Sequence, residues 1–178
     1  IGCSSRNLRK RAVFPKAPLE RTLSLNTRSV FPLAGDHPVE YGSPIVTENL
    51  LIIPSETEGL ICKDRYTLNL KWRIRTKNGV NSAGLLQDNT VYFGDNDGTF
   101  YAVDADLGVI RWRYETKVPV IAKPVIDKDK IYFQATDDTL YCLNAETGKW
   151  LWHYKRGTIS GTTIRGNSTP LIIKDTIY

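Results

Sequence analysis

Methionine is absent from the 178 residues, histidine occurs twice and cysteine three times. The missing methionine extends to position 1, so Ile1 is expected not to be the natural start. His37 and His153 stand far apart, and neither has a histidine or cysteine at metal-ligand spacing, which excludes a zinc site of the usual kind. Each reads as a surface side chain. No run of eighteen apolar residues occurs, so no segment reads as a membrane-spanning helix. A Gly-x-Ser-x-Gly elbow and a phosphate-cradling loop are also missing, which removes the commonest hydrolase and nucleotide signatures. Asp95-Asn96-Asp97-Gly98 approaches a calcium loop, but no distal Glu completes it. With Asp127, Asp129, Asp137 and Asp138, these acids fall where hairpin turns are expected, and Asp is favoured there for its bonds to nearby backbone.

What is present suffices for a domain with a real core, since 41% of the residues are hydrophobic. The net charge of +5 is unevenly spread. Residues 1–40 hold seven basic and three acidic side chains, whereas the rest hold 17 and 16. The basic character therefore belongs to the leader. A basic arm can meet nucleic acid or an anionic membrane surface. No aromatic residue interleaves with the 6–11 cluster, so the leader reads as a solvated linker and no nucleic-acid partner is expected.

The dominant signal is an internal period. Trp72, Trp112 and Trp152 are spaced by forty residues, and so are Ile52, Tyr92 and Tyr132. Ile61, Tyr101 and Tyr141 keep the same step, as do Leu60, Phe100 and Leu140. Within each unit the apolar residues alternate by two, which indicates strands, and Gly, Pro and Asp punctuate them. The second unit reads as four strands: Gly84-Leu85-Leu86-Gln87, Thr90 to Gly94, Thr99 to Asp104, and Val109 to Tyr114. Asp97-Gly98 supplies the positive φ of one turn, and Gly108 closes the next. Gly148 repeats Gly108, while Leu68 holds that place in the degenerate first unit.

Four antiparallel strands per forty residues make the blade of a β-propeller. The expected class is all-β, with three complete blades at about 41–80, 81–120 and 121–157 and a partial fourth at 158–178. Pro170 and Tyr178 match Pro124 and Tyr132 at a step of forty-six, which predicts an insertion of about six residues within 155–170. A propeller buries both faces of every blade, so the sequence is expected to be a fragment, cut at both ends. The three tryptophans are expected to dock between neighbouring sheets. Cys62 and Cys142 fall at one blade position two blades apart, beyond the roughly 7 Å Cα separation a disulfide needs. Both are expected to be free and buried.

The stretch from Val91 to Trp112, with its Asp-Gly turn, its Tyr-Ala-Val-Asp strand and its Trp, resembles the PQQ-type propeller repeat. Ile131 to Trp152 resembles it too, with Asp138 in place of the turn Gly. The repeat's name does not imply the cofactor here. Quinoprotein dehydrogenases of this superfamily carry adjacent cysteines and a carboxylate–Asn calcium site, and the scattered cysteines do not match. No cofactor and no metal is expected.

Two further resemblances narrow the family. Ile1-Gly2-Cys3-Ser4-Ser5 looks like the end of a bacterial lipoprotein signal, which makes Cys3 the lipidated residue and residues 1–40 an anchor and linker. Ser4 is compatible with sorting to the outer membrane. Thr162 to Pro170 is similar to the Leu-x-Leu-Arg-Gly-x-Ser-x-Pro loop of BamB-like outer-membrane assembly lipoproteins. That loop contributes to contact with the barrel subunit, which assigns Ile164, Arg165 and Gly166 to partner binding. Thr162 departs from the pattern and weakens the apolar half of the contact. Alternatively, the loop packs on its own propeller and Arg165 makes a structural hydrogen bond. The resemblance implies a non-enzymatic, lipid-anchored scaffold on the periplasmic face of the outer membrane, binding an outer-membrane barrel assembly subunit. A fragment of a quinoprotein dehydrogenase, or a propeller sensor domain, is the alternative.

Overall fold

A computed structural model describes residues 42–155, 168–174 and 176–178, and these contain strands but no α-helix. Three four-stranded antiparallel sheets follow one another along the chain. The first comprises β1 (Ile45–Val46), β2 (Leu50–Ser55), β3 (Gly59–Asp64) and β4 (Leu70–Ile74). The second comprises β5 (Leu85–Gln87), β6 (Thr90–Gly94), β7 (Thr99–Asp104) and β8 (Ile110–Glu115). The third comprises β9 (Val125–Asp127), β10 (Lys130–Gln134), β11 (Thr139–Asn144) and β12 (Trp150–Lys155). A hairpin, β13 (Ile172–Ile173) with β14 (Thr176–Ile177), ends the described chain. Each sheet is a meander in chain order, as the repeat predicts.

The forty-residue step extends to backbone register. Ile52 faces Cys62, Tyr92 faces Ala102 and Tyr132 faces Cys142. Each third-to-fourth strand pairing carries a bulge just before its tryptophan, with Lys71, Arg111 and Leu151 as the extra residues. In the hairpin, Ile172 faces Ile177, which stands forty-six residues after Ile126 facing Ile131. The outer strand of the second blade runs one residue later than its sequence pattern suggests. Val109 is taken up by the turn, where its carbonyl accepts the Asp104 N–H.

The turns explain the punctuation. Asp64 and Asp104 each use Oδ1 to accept two backbone N–H groups two and three residues on. Asn144 accepts the N–H and hydroxyl of Thr147 in the same way. The turn ends in the left-handed region, at Leu68 (φ 60°), Gly108 and Gly148 (both 68°).

Alternation then divides each central strand between two cores. Val91, Phe93, Tyr101 and Val103 face the first blade, in a cluster with Ile52, Leu60, Cys62 and Trp72. Tyr92, Phe100 and Ala102 face the third blade, in a cluster with Ile131, Phe133 and Leu143. The Phe100 and Phe133 rings stack 3.9 Å apart across that seam. The middle blade is thus buried on both faces.

Candidate functional site

The tryptophans of the first two blades act as links. Trp72 Nε1–H donates to the Ala105 carbonyl (2.8 Å) and Trp112 Nε1–H donates to the Ala145 carbonyl (3.0 Å), each in the next blade. The glycine of the next blade's turn lies flat against the indole. A Cβ at Gly108 would sit 2.5 Å from Trp72 Cγ, and one at Gly148 would sit 2.5 Å from Trp112 Cδ2. Trp152 holds the same place in the third blade and packs near the Tyr132 ring, with 37% of its surface exposed.

The deepest carboxylate belongs to the second blade. Asp95 is 1% exposed. Its Oδ1 accepts the N–H groups of Thr99 (2.7 Å) and Asp97 (3.0 Å), and its Oδ2 accepts the Tyr101 hydroxyl (3.0 Å). Burial raises the Asp95 pKa, and those hydrogen bonds pull it partly back. Burial, then the Asp95 charge, pushes the Tyr101 hydroxyl up to about 12. Oδ1 serves the turn and Oδ2 ties it to Tyr101 of β7, so the group reads as structural. Ser55 and Ala135 take its place in the neighbouring blades. The Asp was visible in the sequence as a turn residue, but nothing there announced its bond to Tyr101.

Cys62 and Cys142 are both buried and free. Burial pushes the Cys62 thiol up to about 11 and raises Cys142 as well, which keeps both protonated at neutral pH. Cys3, Cys62 and Cys142 are not adjacent in the sequence, and among the described residues no group of three His, Cys, Asp or Glu is placed to hold a metal.

Two concavities remain. A cleft of about 260 Å³ between the second and third blades is lined by Tyr92, Arg111, Trp112, Ile126, Lys128 and Glu146, among others. Arg111 is held at its rim by Asp104 (2.7 Å), and this partner lowers the Asp104 pKa. A more open cavity of about 620 Å³ lies between β9 and residues 169–174. Beside these concavities stand the outer strands, each bonded to its own sheet on one side only. β4 and β8 are partly covered, but every residue of β12 is exposed, including His153.

Of the residues singled out in the sequence, Trp72, Trp112, Gly108 and Gly148 are brought together at two seams. Cys3, Ile164, Arg165 and Gly166 lie outside the described residues. Next to that loop, Ser168 and Thr169 are exposed and Pro170 is buried. No described helix is long and apolar enough to cross a membrane.

Blades of this register, linked by indole and glycine, define a PQQ-type β-propeller repeat protein. The chain belongs to the family described as outer membrane protein assembly factor BamB, whose profile matches residues 22–119 and, shifted along the repeats, 70–178. No curated protein matches the chain. Among solved structures, BamB from Moraxella catarrhalis is similar at 22% identity and a TM-score of 0.65, over 79% of this chain and 46% of that one. The chain therefore spans less than half the length of that relative. Quinohemoprotein alcohol dehydrogenase ADHIIG from Pseudomonas putida HK5 is similar at 19% identity and a TM-score of 0.59, over 66% of this chain and 21% of that one. The computationally designed Ika4 protein is similar at 16% identity and a TM-score of 0.63, over 82% of this chain and 87% of that one. At these identities the likeness speaks for the fold.

Proposed function

We propose that the chain is part of a non-enzymatic, lipid-anchored scaffold that assists assembly of β-barrel proteins at the periplasmic face of the outer membrane. The family match over residues 22–178 carries the reading. The lipoprotein-like Cys3 and the loop bearing Ile164, Arg165 and Gly166 support it. In this reading acyl chains on Cys3 insert in the bilayer, residues 4–40 tether the propeller, and the loop meets a subunit of the barrel assembly machinery. The test is affinity purification of the full-length protein from detergent-solubilised envelopes. A barrel assembly subunit is expected to copurify, and its absence from the eluate overturns the proposal.

The dehydrogenase likeness favours a second reading, a quinoprotein fragment. It predicts that full-length protein supplied with the quinone and calcium oxidises alcohols. The scaffold reading predicts no such turnover.

A further inference from the structure

The first two blades meet a second time, where the loop leaving β4 passes the turn between β6 and β7. Asn96 N–H donates to the Gly79 carbonyl (3.1 Å), and Asn96 Nδ2 donates to the Asn78 carbonyl (2.8 Å). Asn78 Nδ2 in turn donates to Asp97 Oδ1. Asn78-Gly79 is the one Asn-Gly pair in the sequence. Asparagine is among the thermally labile side chains, and a following glycine has no Cβ to shield its nitrogen. Among the described residues the Gly79 N–H has no hydrogen-bond partner, and Asn78 is exposed. The fold does not allow a bulkier residue after Asn78. Gly79 has φ +77°, and a Cβ there would sit 1.8 Å from the Glu56 carbonyl oxygen. The second seam keeps the equivalent backbone bond, from Thr136 N–H to the Pro119 carbonyl (2.9 Å). There Val118 takes the place of Asn78, and Asp137, in the place of Asp97, pairs with Lys155.

We propose that Asn78 is a self-modification site: it deamidates spontaneously in the folded protein, and the product opens the clasp between the first two blades. The Gly79 nitrogen attacks Asn78 Cγ. The new C–N bond closes a succinimide ring, the bond to Nδ2 breaks, and ammonia leaves carrying the proton of the Gly79 N–H. Water then opens the ring at either carbonyl and leaves aspartate or isoaspartate at position 78. Aspartate gives up the donor to Asp97 and sets a second carboxylate against it, which is repulsive. Burial, and to a lesser extent the Asp97 charge, already raises the Asp95 pKa, and a carboxylate at position 78 adds to that charge. Isoaspartate carries the main chain through the side-chain carbon. That adds a methylene to the loop and displaces the Gly79 carbonyl from the Asn96 N–H. The second seam, with Val118 and Pro119 at these places, is inert to the same chemistry.

The test ages the full-length protein in mildly alkaline buffer, below its unfolding transition, and locates isoaspartate by peptide mapping. Position 78 is expected to accumulate it several-fold faster than Asn81 or Asn167, each of which precedes a serine. Accumulation at position 78 no faster than at those two overturns the site. The structural consequence is read on fresh protein. Asn78→Asp, which reproduces one product, is expected to lower the melting temperature by a few degrees. The loss is expected to shrink in about 1 M salt, where an exposed charge pair is screened. It is also expected to shrink in an Asp97→Ala background, where the repelling partner is gone. An unchanged melting temperature for Asn78→Asp, or an equal loss with and without Asp97, overturns the opening of the clasp.

Discussion

At the residue scale, a glycine and a carboxylate set the local geometry. Gly108 has φ +68° and its missing Cβ is the space Trp72 occupies. Gly108→Ala therefore meets both a left-handed backbone and an overfilled contact, for a combined loss of about 2–4 kcal/mol in a denaturant titration. An unchanged midpoint would mean that the indole has room to move. Asp95 predicts a pH dependence. Its folded pKa is raised by burial, so protonation favours the folded state. The stability it contributes is full below the unfolded carboxylate pKa and is lost as pH rises through the raised folded value. Asp95→Asn keeps an oxygen for the Thr99 and Asp97 N–H groups and turns an amide towards the Tyr101 hydroxyl. Relative to this variant, the parent protein is expected to lose stability as pH rises from about 4. Parallel pH profiles for the two proteins would refute that assignment.

At the scale of the blade, the outer strand decides how one sheet is joined to the next. Trp112 lends its ring to the cluster shared with the third blade and its N–H to Ala145. Trp112→Phe leaves that carbonyl with the Tyr92 hydroxyl as its remaining side-chain donor and shrinks the ring at the seam, at a cost of about 1–2 kcal/mol. Trp152→Phe, at a ring more than a third exposed, is expected to cost less than about 1 kcal/mol. Thermal melts of the two variants check the contrast, and equal losses would show that the blades do not differ at this seam. The strand pattern, the turn residues and the repeat were legible before any coordinates, because alternation by two and a fixed step are properties of sequence. The Asp95–Tyr101 bond was not, since alternation places both residues without saying that their polar ends meet.

At the scale of the whole molecule, the proposed scaffold depends on two places that lie outside the described residues. If Cys3 carries the anchor, Cys3→Ser moves the full-length protein from the membrane fraction to the soluble fraction. If the loop meets the barrel subunit through a cation, Arg165→Glu sharply lowers copurification while leaving the melting temperature unchanged. A subunit recovered equally well with the variant would remove Arg165 from the interface. These outcomes are separable, because a tether and a contact are lost independently.

The sequence alone determined the class of fold, the length of each unit, the turn glycines and the family resemblance. These are written in local periodicity and in short motifs, which need no knowledge of distant neighbours. Only the tertiary structure decided what each element faces. The middle blade is sealed on both sides, and the first two tryptophans reach carbonyls thirty-three residues away. β4 and β8, built on the same pattern as β12, are partly covered by the blade that follows each of them. Exposure is a relation between elements, set by which blade stands next to which. A repeat whose units look alike in sequence is therefore told apart by its neighbours.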